Sequence, residues 1–252
     1  MSILAQNLDF KDLNEQIKAA GEYVHIEDCY GQRFIGSALK GKTIAINGTP
    51  GNALGAYLDG ATIEVHGNAQ DATGDTMNDG KIIIHGNAGD ALGYAMRGGS
   101  IFVKGNSGYR TGIHMKEYKD KRPQIIIGGS AGSFLGEYLA GGLIVVLGIG
   151  EVTSAEPRRG EGSPPEGAPV GNFTGTGMHG GKIFIRTDKE LAALPAQVTV
   201  DVAGKDELRE IEPLVGEFAE HFEMDAKSLL KDRFLVLKPN AKNPYKQLYV
   251  HN

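Results

Sequence analysis

Four groups of residues in this chain have types and spacings that chemistry uses. His66 and His85 lie nineteen residues apart, and two imidazoles one repeat apart could share a metal ion. Asp71 and Asp90 recur at the same interval, and paired carboxylates serve acid–base hydrolysis or bind calcium. The stretch GTGMHG (175–180) matches G-x-G-x-x-G, the glycine pattern that brings backbone close to phosphates. Cys29, the single cysteine, follows the alternating run YVHIEDC.

Each group also has a plainer reading. The histidine column continues as Asn47 above and Lys104 below, which supplies no good third ligand, so it reads as an outward polar column. The aspartate column begins with Asn52 and continues as Tyr109 and Ser133, and the calcium-binding nonapeptide pattern is absent. A dinucleotide fingerprint needs a strand before it and a helix after it, whereas a proline-rich loop precedes GTGMHG and the strand KIFIR follows. His114 precedes Met115 and His179 follows Met178, so these two histidines do not share a column. One cysteine allows no internal disulfide, Cys-based zinc site or iron–sulfur cluster, and Cys29 reads as a packed thiol at a strand end.

What positions these residues is a repeat. Gly48, Gly67, Gly86 and Gly105 are spaced by nineteen, and Gly129 to Gly148 is nineteen again. A second glycine column runs Gly36, Gly55, Gly74, Gly93, Gly112, Gly136 and Gly175, each followed three residues later by Leu or Met. Apolar pairs two apart then recur: Ile44/Ile46, Ile63/Val65, Ile82/Ile84, Ile101/Val103, Ile125/Ile127, Ile144/Val146 and Ile183/Ile185. One short strand per unit cannot bury its apolar side alone, but stacked units share a continuous interior. The expected object is an all-β, single-stranded parallel β-helix of about seven 19-residue coils, about 4.8 Å apart. Its glycines let the chain turn at the corners. Asn68, Asn87 and Asn106 form one column and are expected to make a stacked-amide ladder.

The departures from the repeat divide the chain into three parts. Residues 1–30 form an N-terminal cap, in which DFKDLNEQIKAA puts Leu13 and Ile17 on one helix face behind an Asp9 N-cap. The β-helix spans 31–188, with loop insertions at 116–123 and 151–170, the latter either partner-facing or unstructured. Residues 189–252 hold a helical segment, 206–222, broken or restarted at Pro213, followed by the extended FLVLKP. Between the inward pairs, the outward column reads Ala45, Glu64, Ile83, Phe102, Ile126, Val145 and Phe184. So long an apolar stripe needs a cover, either the C-terminal helix, which is favoured, or a partner protein.

Composition narrows the function classes. A net charge of −5 with a pI near 5.8 argues against nucleic-acid or anionic-membrane partners. No apolar run reaches the ~18 residues of a membrane span, and the start MSILAQNLDFKD lacks the features of a secretory signal, so a cytoplasmic location is expected.

The unit GNAGDALGYAMRGGSIFVKGNSG (86–108) and the stretch VGNFTGTGMHGGKIFI (170–185) resemble the glycine-repeat (GXGXG) domain at the C-terminal end of the glutamate synthase large subunit. Less closely, they resemble the glycine-repeat subunit of formylmethanofuran dehydrogenase. The similarity covers about residues 20–188, and YVHIEDCYGQRFIGSALKG looks more like the glutamate synthase version. The resemblance implies a right-handed β-helix that connects catalytic domains without catalysing anything itself. In that family one domain frees ammonia from glutamine, and a flavin- and iron–sulfur-containing domain reductively aminates 2-oxoglutarate. This chain lacks the N-terminal catalytic cysteine and the cluster cysteines, and it is too short for a flavin-binding barrel. It therefore resembles the β-helix domain set free as a scaffold subunit of a multi-subunit glutamate synthase. No catalytic, cofactor-binding or metal residue carries over. FMN and an iron–sulfur cluster are expected in the partners, which would be amidotransferase and flavin/iron–sulfur synthase subunits. The equivalent subunit of a formylmethanofuran dehydrogenase-like complex is an alternative. Another is a free-standing carbohydrate-active enzyme using Asp71 and Asp90.

Overall fold

The computed structural model describes residues 1–150, 167–191 and 194–240. The chain opens with β1 (Ser2–Leu4), α1 (Phe10–Ala19) and β2 (Tyr23–Tyr30). Strands β3 (Thr43–Thr49), β4 (Asp59–His66), β5 (Asp79–Ile84), β6 (Ser100–Val103), β7 (Gln124–Ile127), β8 (Ala140–Val146) and β9 (Gly180–Arg186) follow, one per repeat. After them come β10 (Val198–Val202), α2 (Lys205–His221), α3 (Ala226–Lys231) and β11 (Phe234–Pro239). Among the described residues, all strands join one 11-stranded sheet, ordered β1 to β9, then β11, then β10. The pairs from β1 to β9 are parallel, so the chain winds a parallel β-solenoid of about eight turns. The extra turn is β2, whose Val24 and Ile26 pair in register with Ile44 and Ile46.

The repeat columns are the sheet register. Ile44, Ile63, Ile82, Ile101, Ile125, Ile144 and Ile183 are successive partners across the ladder, and all are buried. A one-residue slip on any strand would turn its isoleucines outward, so burial fixes the pairing. Five additional residues in the 116–123 insertion leave the register intact: Ile101 still faces Ile125. That insertion makes a Tyr118–Lys121 bridge and sends Lys121 Nζ to Asp79 (3.1 Å) and to the Asn78 carbonyl (3.1 Å). The 151–170 insertion falls largely on residues 151–166, which lie outside the described residues.

The corners explain the second glycine column. In each coil three residues two apart take left-handed φ, as Ala91 (+54°), Gly93 (+66°) and Ala95 (+52°) do. Left-handed φ alone does not demand glycine here, because the outer two columns hold Phe34, Tyr57, Arg110, His114 and Phe134. Only the middle column faces inward. A Cβ on Gly93 would lie 2.5 Å from Ile125 Cδ1, so there the conformation and the packing both require glycine. These glycines do more than let the chain turn; they make room for the isoleucine ladder.

The ends are closed as an open stack requires. Asp9 caps α1 by accepting from the Lys11 and Asp12 amides, and Leu13 and Ile17 are buried in the solenoid core. At the other end β11 pairs antiparallel with β9, and Leu235 and Leu237 complete the interior. β10 adds an outer antiparallel strand that the sequence pattern did not announce. Helix α2 lies over the outward stripe. Ile83, Phe102, Ile126, Val145 and Phe184 are at most 4 % exposed and form one cluster with Ile211, Leu214, Val215 and Phe218. The helix does not break at Pro213. Pro213 sits on the solvent side, and the packed residues around it hold the helix despite the missing amide. Lys182 (2.6 Å) and Arg122 (2.5 Å) both bind Glu210 and tie α2 to the coils beneath.

Candidate partner interface

Two of the polar columns cap the coils of the fold. The Asp90 amide donates to Asp71 Oδ1 (2.9 Å), and the Tyr109 amide donates to Asp90 Oδ1 (2.8 Å). Each carboxylate thus caps the next coil, and its oxygen fills the space where Gly89 or Gly108 lacks a Cβ. The asparagines do likewise: Asn68 accepts from the Asn87 amide (2.8 Å), Asn87 from Asn106 (2.7 Å), and Asn106 from Ser130 (2.7 Å). The ladder is therefore side chain to backbone, not the amide-on-amide stack expected. The recurrent wording GNAQD (67–71), GNAGD (86–90) and GNSGY (105–109) follows from it. A small polar side chain caps the coil beyond, and a glycine in that coil admits its oxygen.

Two further candidates are occupied as well. In GTGMHG the amides of Gly175, Thr176, Met178, His179 and Gly180 all donate to carbonyls of this chain, so they are not aimed at a phosphate. Cys29 is buried beside Gln32, and burial pushes its thiol up to about 11, far from a reactive thiolate. His179 contacts the Gly177 carbonyl, whereas His114 lies flat against Tyr138 with ring centroids 5.0 Å apart. His66 and His85 do come together, their rings 4.8 Å apart. Glu64, two residues before His66 on the same outer face, binds His85 Nε2 at 2.8 Å. The third donor missing from the histidine column comes from its neighbour. A cleft of about 440 Å³ near Gly148 is lined by Arg186, Lys189 and Arg233. Those cations are committed to Asp232, the Gly167 carbonyl and the Asp188 carbonyl respectively.

What the corners present to solvent is different. The outer left-handed columns, with the positions just before them, hold aromatic side chains that stack from coil to coil. Tyr109, Phe134 and Phe173 form one run, with centroids 5.2 and 4.9 Å apart. The Arg110 guanidinium lies over Tyr109 (4.9 Å) and Phe134 (5.6 Å) while its Nε pairs with Glu137 at 2.9 Å. Tyr94, His114 and Tyr138 form a second run. Phe34, Tyr57, Tyr94 and Phe173 are 40–56 % exposed. Rigid, exposed aromatics beside an arginine are the side-chain types that concentrate binding energy at protein interfaces. Sequence reasoning followed the inward columns and missed this face. Its signal was the phenylalanine at Phe34, Phe134 and Phe173, one column of the repeat.

Comparison with known proteins agrees with the architecture. No helix among the described residues is long and apolar enough to cross a membrane. One chain in the crystal structure of the formyltransferase/hydrolase complex (FhcABCD) from Methylorubrum extorquens, determined with methylofuran, superposes with a TM-score of 0.61. It shares 20 % identity, over 85 % of this chain and 72 % of that one, which speaks to the fold. The uncharacterized protein MJ1350 of Methanocaldococcus jannaschii is 40 % identical over 256 aligned positions, covering 97 % of this chain and 94 % of the relative. The GXGXG motif family matches residues 15–240, and with these columns in place the chain belongs to that family.

Proposed function

We propose that this chain is a non-catalytic scaffold subunit that docks other subunits of a multi-subunit enzyme through its aromatic corner face. The observation carrying this reading is the division of labour among the columns. The Asp and Asn columns cap successive coils, the isoleucines fill the interior, and the aromatic ladder turns Phe34, Tyr57, Tyr94 and Phe173 to solvent. The reading is narrowed to a glutamate synthase-like complex by YVHIEDCYGQRFIGSALKG and the glycine units it precedes. In such a complex the partners are an amidotransferase and a flavin/iron–sulfur synthase subunit, performing glutamine-dependent amination of 2-oxoglutarate. FMN and the cluster would belong to the partners, since one buried cysteine does not fit a cluster's thiolate set. A second reading, a subunit of a formyl-transferring complex, is favoured by the likeness to the FhcABCD chain.

Affinity purification from the native cells tests both, with the wild-type chain and Phe173→Asp as baits. Phe173 is exposed at φ +59°, a conformation aspartate adopts readily, so the variant keeps its fold. The expected result is co-purification of larger subunits with wild type and their loss with the variant. Flavin absorbance supports the first reading and formyl-transfer activity the second. A wild-type chain recovered alone contradicts the scaffold role.

A further inference from the structure

We infer that Glu64, His66 and His85 form a binding site for a single divalent transition-metal ion, with zinc as the type case. The three donor atoms already lie within 4.8 Å of one another. Tetrahedral zinc, with bonds of about 2.0–2.1 Å, needs donors roughly 3.4 Å apart, so only a side-chain shift of about 1 Å is required. His66 is exposed and can supply it. His85 is held in place from two sides. Glu64 Oε1 binds its Nε2 at 2.8 Å, and the Phe222 ring meets it edge-on at 5.3 Å. The metal would replace the proton that now bridges imidazole and carboxylate. Phe222 is the C-cap residue of α2, which brings the partly negative end of that helix toward the site, a field that favours a cation.

The topology makes the cluster. Glu64 and His66 point outward from β4 two residues apart, and the in-register parallel pairing brings His85 alongside from the next coil. Two imidazoles and a carboxylate suit zinc or another borderline divalent ion better than calcium, and leave a fourth position for water. The outward column turns apolar at Ile83, where α2 begins to cover it, so the cluster lies at the rim of that cover and open to solvent. A bound ion would clip two coils together beside the helix end.

The test is titration of tag-free, chelator-treated protein with Zn2+ by calorimetry and with Co2+ by visible absorbance. One equivalent should bind, with Co2+ giving the intense bands of a tetrahedral site. His66→Ala, His85→Ala and Glu64→Gln should each weaken binding by at least ~10-fold. His25→Ala, which removes a histidine elsewhere on the surface, should leave it unchanged. His66→Ala alters an exposed side chain only, and circular dichroism confirms the fold of all variants. Absence of stoichiometric binding, or binding that His66→Ala leaves intact, overturns the site.

Discussion

Replacing Gly93 by alanine tests why the inward corner column is glycine. An L-residue in the left-handed region costs about 1–2 kcal/mol, and Gly93 has φ +66°. The new Cβ would stand 2.5 Å from Ile125 Cδ1, and overpacking of this kind costs about 1–3 kcal/mol. Reduced freedom of the unfolded chain returns about 0.4–1 kcal/mol. The sum is a net loss of about 1–5 kcal/mol, which in a chain of this size lowers the melting midpoint by roughly 2–20 °C. Ala91, at φ +54° and partly exposed, supplies the opposite sign. Ala91→Gly relieves the same backbone cost without a packing change and should be neutral or stabilise by up to about 1.5 kcal/mol. Ile125→Val removes the clashing methyl, so it should cost about 0.5–1.5 kcal/mol alone and much less in the Gly93→Ala background. Urea and thermal denaturation of the four variants measure all these terms. Strict additivity of Gly93→Ala and Ile125→Val, or equal damage from Ala91→Gly, would refute the packing explanation.

Two further expectations concern titration and reactivity. Burial pushes the Glu210 carboxyl up, but Lys182 and Arg122 together outweigh it and hold the group below its ordinary value of 4.5. Its contribution to docking α2 is therefore complete above that value and lost as pH falls through the lower folded one. Glu210→Gln should flatten the acid limb of the stability–pH curve, and an unchanged acid midpoint would contradict this. With its thiol pushed up to about 11, Cys29 at pH 8 is about one part in a thousand thiolate, so native protein should react with a disulfide reagent at least ~100-fold more slowly than denatured protein. Equal rates would place Cys29 outside the core.

Much of the fold was legible because every coil repeats the same physical demand. Isoleucines two apart at nineteen-residue spacing can be buried only by in-register stacking, and the pairing from Ile44 to Ile183 follows. The outward stripe from Ile83 to Phe184 announced a cover, and α2 supplies it. The uninterrupted passage of α2 through Pro213 was not legible, because local propensity argued for a break and packing by Leu214, Val215 and Phe218 overrode it. The aspartates looked like a site because nothing in their type separates a cap from a catalyst; only the amide of the next coil does. Glu64 was hidden as a partner for the histidines because neighbours on a sheet face lie in adjacent columns as well as along one. The aromatic ladder escaped for a related reason: its members come from neighbouring columns, Tyr94 and Tyr109 standing just before left-handed positions, and residue types vary from coil to coil.

The central claim is that this chain works as part of a larger assembly, joined through the aromatic corners. The most direct measurement is the native mass of the chain isolated from its own cells at physiological ionic strength. The account predicts a hetero-oligomer well above the 26.8 kDa of the single chain, reduced to that mass by Phe173→Asp. A wild-type chain that runs as a lone monomer would contradict it.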